Sequence, residues 1–166
     1  MKDKPNLLAS EGNSGAPGSI FISYSRKDKK YLGELHAHLA LHVREGAIVF
    51  WDDTRILPGS RWNDELKRAI QSAKIALFLV SADFFASDFI FHQEMGPLLQ
   101  ATQEKGVEVL SVVLGACAFR DSELAQFQAI NAPSEPLNQM SRGKRDVVWD
   151  KVARRCKDIL SQEQRS

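Results

Sequence analysis

The apolar positions of this chain follow two alternating rhythms. Four short runs are almost continuously apolar or β-branched: "SIFISY" (19–24), "AIVFW" (47–51), "KIALFLVS" (74–81) and "VEVLSVVLG" (107–115). The last two lack the in–out alternation of a half-exposed strand. They predict strands covered on both faces, as in a parallel sheet. Between the runs, apolar residues recur every three or four positions. Leu32, Leu35, Leu39 and Val43 mark one helix, and Trp62, Leu66, Ala69 and Ile70 a second. Phe91, Met95, Leu98, Leu99 and Thr102 mark a third, and Val148, Val152, Cys156 and Ile159 a fourth. "FQAIN" (127–131) is the candidate for a fifth strand. Strand and helix alternate throughout, which predicts a three-layer α/β sandwich with right-handed crossovers and a five-stranded parallel sheet of order 2-1-3-4-5.

That architecture narrows the place of a site. Ligands of open parallel sheets bind beyond the carboxyl ends of the strands, where the strand order reverses. Here the crevice falls between the first and third strands, at "SYSRKD" and "VSADFF". The helix that follows the third strand carries Glu94 within "SDFIFHQEM". On a helical wheel Glu94 lies roughly 80° from the centre of the Phe91/Met95/Leu98 face, at the rim of the stripe. Two readings stand at this point. Its stem packs and its head reaches water, or the carboxylate serves the crevice.

Other segments offer chemistry of their own. Arg26 stands just past the first strand, where a guanidinium and free backbone N–H groups suit a phosphate, and Asp28 is placed to cap the next helix. "WDDTRILPGSRW" reads as a long strand-to-helix loop with Pro58-Gly59 at a turn and Ser60 as the N-cap of the helix. Its apolar tip, Ile56 and Leu57, suits a protein partner. His36, His38 and His42 share one helix; His38 and His42, four apart, have the spacing of a metal pair, but no third ligand and no H-E-x-x-H pattern accompany them, and the cluster is read as a solvated face with no metal. The chain has no G-x-G-x-x-G and no G-x-x-x-x-G-K-[ST].

Composition limits the remaining classes. With 166 residues and 43% apolar content the chain suits one globular domain. A net charge of +1 gives no broad electrostatic footprint for nucleic acid. No run is long enough to cross a membrane, and the start lacks the apolar core of a secretory signal. Residues 1–18, rich in Gly, Ser, Asn and Lys, read as a flexible leader, residues 19–161 as the domain, and 162–166 as a polar tail that suits a link to a further domain. Cys117 and Cys156 have no metal spacing and read as buried reduced thiols of a cytoplasmic protein.

Several of these segments, in this order and at this spacing, resemble the Toll/interleukin receptor (TIR) domain family. "FISYSRKD" resembles its first signature box and "WDDTRILPGSRW" its second. "LVSADFFASDFIFHQEM", "VVLGACAF" and "FQAINAPSEPL" are similar to the bacterial branch. The resemblance covers roughly residues 18–160. It implies a flavodoxin-like fold and, for catalytic members, cleavage of NAD to nicotinamide and ADP-ribose or a cyclic isomer, with NAD as substrate and no cofactor. By motif position the essential carboxylate is Glu94. The resemblance places Tyr24, Ser25, Arg26, Asp53, Trp62, Ser81, Asp83 and Phe119 at the substrate. It assigns self-association with other TIR domains to Arg55, Ile56, Leu57, Pro58 and Gly59, and a sensor domain is a common neighbour in the family. The sequence departs from the pattern in two places. Phe89, Ile90 and Phe91 stand where several NAD-cleaving members carry a Trp, and the first box holds one Arg rather than two. The alternative is a non-catalytic TIR interaction module. A phosphoacceptor receiver with Asp83 is a third reading, disfavoured because the acidic pair Asp52-Asp53 follows the second strand.

The chemistry makes one carboxylate sufficient. Glycosidases ordinarily need a general acid for the leaving oxygen. Nicotinamide departs from a pyridinium as a neutral ring, so Glu94 alone can stabilise the oxocarbenium-like transition state.

Overall fold

The computed structural model describes residues 19–55, 59 and 61–165. The expected leader, the loop tip Ile56–Pro58 and the expected N-cap Ser60 lie outside the described residues. Four strands, β1 (Ser19–Ser23), β2 (Val49–Trp51), β3 (Ala73–Val80) and β4 (Glu108–Val113), form one parallel sheet in the order β2-β1-β3-β4. The helices are α1 (Lys29–Arg44), α2 (Trp62–Ser72), α3 (Ala82–Ala86), α4 (Gly96–Lys105) and α5 (Arg142–Arg165). A π-helical turn, Ile90–Met95, leads into α4. α5 runs to Arg165, through most of the segment read as a polar tail.

Side-chain alternation along the strands builds two cores, one on each face of the sheet. Ile20, Ile22, Ile75, Leu77, Leu79 and Val112 face α1 and α5, where they meet Leu32, Leu35, Leu39, Trp149, Val152 and Cys156. Phe21, Ala76, Phe78, Val80 and Val113 face the other way, onto Leu66 and Ala69 of α2, Phe84, Ile90, Met95 and Leu98. Each fully buried Leu or Phe contributes about 2 kcal/mol, so both faces of β3 are anchored. This is why its sequence reads as one apolar run. Trp149, absent from the expected stripe, is the largest of the fully buried side chains. Burial pushes the Cys156 thiol up to about 12, while Cys117 is only half-buried.

The fifth strand does not form among the described residues, and the sheet has four strands rather than five. Asn131 explains the edge. Its side-chain Oδ1 accepts from Val113 N–H at 2.9 Å and its Nδ2 donates to Val113 C=O at 3.0 Å. Ile130 N–H donates to Ser111 C=O and Asn138 N–H to Leu114 C=O. A side-chain amide thus replaces part of the ladder, and the β4 edge is satisfied by a loop. The apolar "FQAIN" pattern reflects packing of Phe127 and Ala129 onto the second core and Ile130 onto the first.

Two helix starts also differ from expectation. The N-cap of α2 is Arg61, extended and without a side-chain cap bond. Asp28 sits at the N-cap of α1 but makes no cap bond. It accepts the Ser81 hydroxyl at 2.5 Å instead, tying the start of α1 to the end of β3.

Candidate functional site

Ser23 is the last residue of β1 and pairs with Phe78 of β3, at the point where strand order reverses. Alternation puts its side chain on the Phe21 face, beneath the π-helical turn. The turn is decisive for Glu94. Gly96 N–H donates to Phe91 C=O, five residues back, so this turn holds more residues than an α-helical one. Ile90, Glu94 and Met95 are thereby buried, and Phe91 is left 50% exposed. The expected stripe through Phe91 is corrected by this register. Glu94 sits inside rather than on the rim, at 7% exposure.

The Ser23 hydroxyl donates to Glu94 Oε1 at 2.6 Å. Among the described residues Glu94 has no cationic partner and no other hydrogen bond. Burial pushes its carboxyl up to about 7, the Asp53 charge adds to that effect, and the Ser23 hydrogen bond opposes it. Glu94 is thus poised to change charge near neutral pH, as groups at functional sites often are.

Asp53, just after β2, closes the crevice from the other side. Tyr24 Oη donates to its Oδ1 at 2.6 Å and Arg26 Nε to its Oδ2 at 3.1 Å. Burial, followed by the bond to Asp53, holds the Tyr24 phenol well above its ordinary range. Asp52 anchors this turn. It is fully buried, bonded to His36 Nε2 at 2.8 Å, to Thr54 N–H at 2.9 Å and to the Thr54 hydroxyl. Burial alone would raise the Asp52 carboxyl, but the His36 and Thr54 bonds prevail and hold it below its usual range. His38 pairs with Asp146 at 3.0 Å. His36 and His38 are therefore partnered residues of two seams, not parts of a solvated face. Among the described residues no three His, Cys, Asp or Glu are grouped to hold a metal.

Of the residues expected at the substrate, Tyr24, Arg26 and Asp53 are joined directly, and the Asp53 charge reaches Glu94. Trp62, at the start of α2, packs on Phe89 with ring centroids 4.8 Å apart. Ser25 and Ser81 are nearly buried and act as N-caps, accepting from Lys27 N–H and Phe84 N–H. Asp83 lies at the surface with Lys27 at 3.8 Å. Phe119 is 5% exposed within the second core. Arg55 ends a 3-10 turn, Asp53–Arg55, and Gly59 is exposed with φ 86°, a left-handed value that suits glycine. Ser23 escaped the sequence reading. Its signal is a hydroxyl at an inward position of an otherwise apolar strand.

The TIR domain family model matches residues 20–143. An uncharacterized protein of Sinorhizobium fredii (strain NBRC 101917 / NGR234), y4lF, is 31% identical over 121 residues, which cover 73% of this chain and 38% of that protein. The NAD(+) hydrolase PdTIR of Paracoccus denitrificans (strain Pd 1222) is 24% identical over 140 residues, 84% of this chain and 45% of that one. The chain thus spans less than half the length of either curated relative. Among solved structures, the TIR domains of the activated Roq1 resistosome recognizing the effector XopQ superpose with a TM-score of 0.53 at 16% identity, over 86% of this chain and 84% of that one. This last likeness concerns the fold.

Proposed function

This chain belongs to the TIR domain family, and we propose that it is an NAD nucleosidase that breaks the nicotinamide–ribose bond. One observation carries the reading. Glu94 is a buried carboxylate at the strand-order reversal, held by a single hydroxyl and left without a cation. Burying an ionised carboxylate without a partner is costly. A substrate that develops positive charge beside it offsets that cost in the transition state, which is the condition for catalysis. The similarity to an NAD(+) hydrolase supports the substrate class.

In the proposed reaction the C1′–N bond of the nicotinamide ribosyl breaks and both bonding electrons go to the ring. Nicotinamide leaves neutral. Ionised Glu94 stabilises the ribosyl cation, and its apolar surroundings (Ile90, Met95 and Phe84) strengthen that attraction. Water adds at C1′ and releases a proton, giving ADP-ribose. Attack by a group within the molecule gives a cyclic isomer. Arg26 is 77% exposed at its side chain and uses only Nε on Asp53, so its other N–H groups serve the pyrophosphate. Asp53 offers a ribose hydroxyl its carboxylate when Arg26 turns to phosphate. Trp62 and Phe89 form the aromatic wall in place of the family's Trp. Ser25, Ser81 and Asp83 shape the floor and rim. Phe119 supports the wall from within the core. The segment from Arg55 to Gly59 would join a second copy, so activity rises with protein concentration.

The test is release of nicotinamide from NAD by concentrated protein. Wild type turns NAD over, and Glu94→Ala loses activity by about a thousandfold. Silence of the concentrated wild type, or full activity in Glu94→Ala, overturns the reading.

A further inference from the structure

We propose that Ser23 is a positioning residue for the reaction: its hydroxyl holds one oxygen of the Glu94 carboxylate in place and keeps the charged form available, so that the other oxygen faces the ribosyl carbon. This deepens the nucleosidase reading and rests on it.

The geometry carries the inference. Ser23 is 1% exposed, at the carboxyl end of a strand hydrogen-bonded to neighbours on both sides. Its backbone is held in the sheet through Phe78 of β3, and its buried hydroxyl has Glu94 as its partner. The bond to Glu94 is 2.6 Å, a length typical of a hydroxyl donating to a carboxylate. It spans 71 residues of sequence and ties the π-helical turn to β1. Among the described residues it is the only hydrogen bond to Glu94, and none of the other described residues fixes which oxygen points where. A flexible donor on a loop would not do this, because a catalytic group needs neighbours whose own positions are locked.

The other charged groups near Glu94 work in the opposite sense or not at all. Asp53, on the turn after β2, opposes ionisation, and its partners Tyr24 and Arg26 moderate it. Asp83 of α3 pairs with Lys27, and Asp88 and His92 beside Glu94 in the chain are exposed. Ser23 is the neighbour whose contact favours the charged carboxylate. A hydrogen bond to a charged group shifts titration by about one to two pH units.

The experiment follows the Glu94 carboxyl by carbon NMR in the full chain, labelled at Glu side chains, while nicotinamide release is measured over the same pH range. Ser23→Ala should raise the Glu94 midpoint by about one pH unit or more. Ser23→Thr, which keeps the donor, should restore it. Turnover in Ser23→Ala should fall roughly tenfold at pH 7 and recover most of the loss at pH 9. Thermal unfolding checks that each variant folds, and Ser23→Cys, a weak donor of similar size, replaces Ser23→Ala if the latter does not. An unchanged midpoint overturns the inference, as does turnover in Ser23→Ala that matches wild type at every pH. If the midpoint moves as stated while wild type releases no nicotinamide, the nucleosidase reading fails and Ser23's hold on the carboxylate stands.

Discussion

Glu34 and Glu94 lie on helical segments against opposite faces of the sheet, at 8% and 7% exposure. Their surroundings differ in kind. Glu34 of α1 receives two N–H groups from Arg145 at 3.0 and 2.9 Å and the indole N–H of Trp149 at 3.0 Å, with Arg142 at 3.8 Å. Burial would raise its carboxyl, but these partners prevail and hold it below its ordinary value. Glu94 has one hydroxyl, and its carboxyl is pushed up to about 7. The same residue type at the same solvent exposure is in one place a joint between α1 and α5, and in the other an open charge that is also the more deeply enclosed of the two. Burial alone therefore does not mark a functional carboxylate. Burial without a cation among the described residues, at the end of the strands, is what supports the role proposed for Glu94.

The comparison can be broken at either side, and the largest effect is expected at the joint. Glu34→Ala leaves the buried Trp149 indole N–H without its acceptor and frees Arg145, and should cost roughly 2–3 kcal/mol in denaturant unfolding at pH 7. A change below 1 kcal/mol would mean that the α1–α5 ion pair is decoration. At Glu94 the sign reverses. Its folded midpoint lies above the unfolded value of 4.5, so the folded state keeps the proton longer, and stability falls as pH rises from 4.5 through about 7. The full penalty above that window is about 3 kcal/mol. Glu94→Gln, which still accepts from Ser23, should therefore stabilise the protein by roughly 2 kcal/mol at pH 8 and by almost nothing at pH 4. A destabilised variant at pH 8 would put Glu94 in the same class as Glu34. For Glu34 the lowered value means the opposite slope: its stabilisation is present above its unfolded value and is lost as pH falls. The smallest effect is long-range. Asp53→Asn removes one negative neighbour and should lower the Glu94 midpoint by about half a pH unit, read by carbon NMR.

How far the sequence alone reached depends on the range of the interactions. The four strands were legible because both faces of the sheet are covered, which leaves runs such as "ALFLV" without alternation. The helices were legible from their buried stripes, Leu32, Leu35 and Leu39 among them. Glu94 was legible as a candidate from motif order, yet its orientation was not. The wheel assumes α-helical spacing, and the π-helical turn exchanges Phe91 for Glu94 on the inner face. "FQAIN" misled because Phe127 and Ala129 serve packing, Ile130 adds a single backbone bond to Ser111 C=O, and the Asn131 side chain imitates the rest of a strand edge. The Ser23–Glu94 and Glu34–Arg145 contacts join residues 71 and 111 positions apart, beyond any local pattern. His36 and His38 of α1 were misread for the same reason, since Asp52 and Asp146 reach them only in the fold.

The role proposed for Glu94 is that its uncompensated charge acts on a cationic ribosyl. Its most direct test is kcat/KM for NAD as a function of pH, followed by nicotinamide release from the wild-type protein. The expected profile has an acid limb with a midpoint near the Glu94 value of about 7 and a plateau above it. Turnover that is flat across that range, or greatest when Glu94 is protonated, would contradict it.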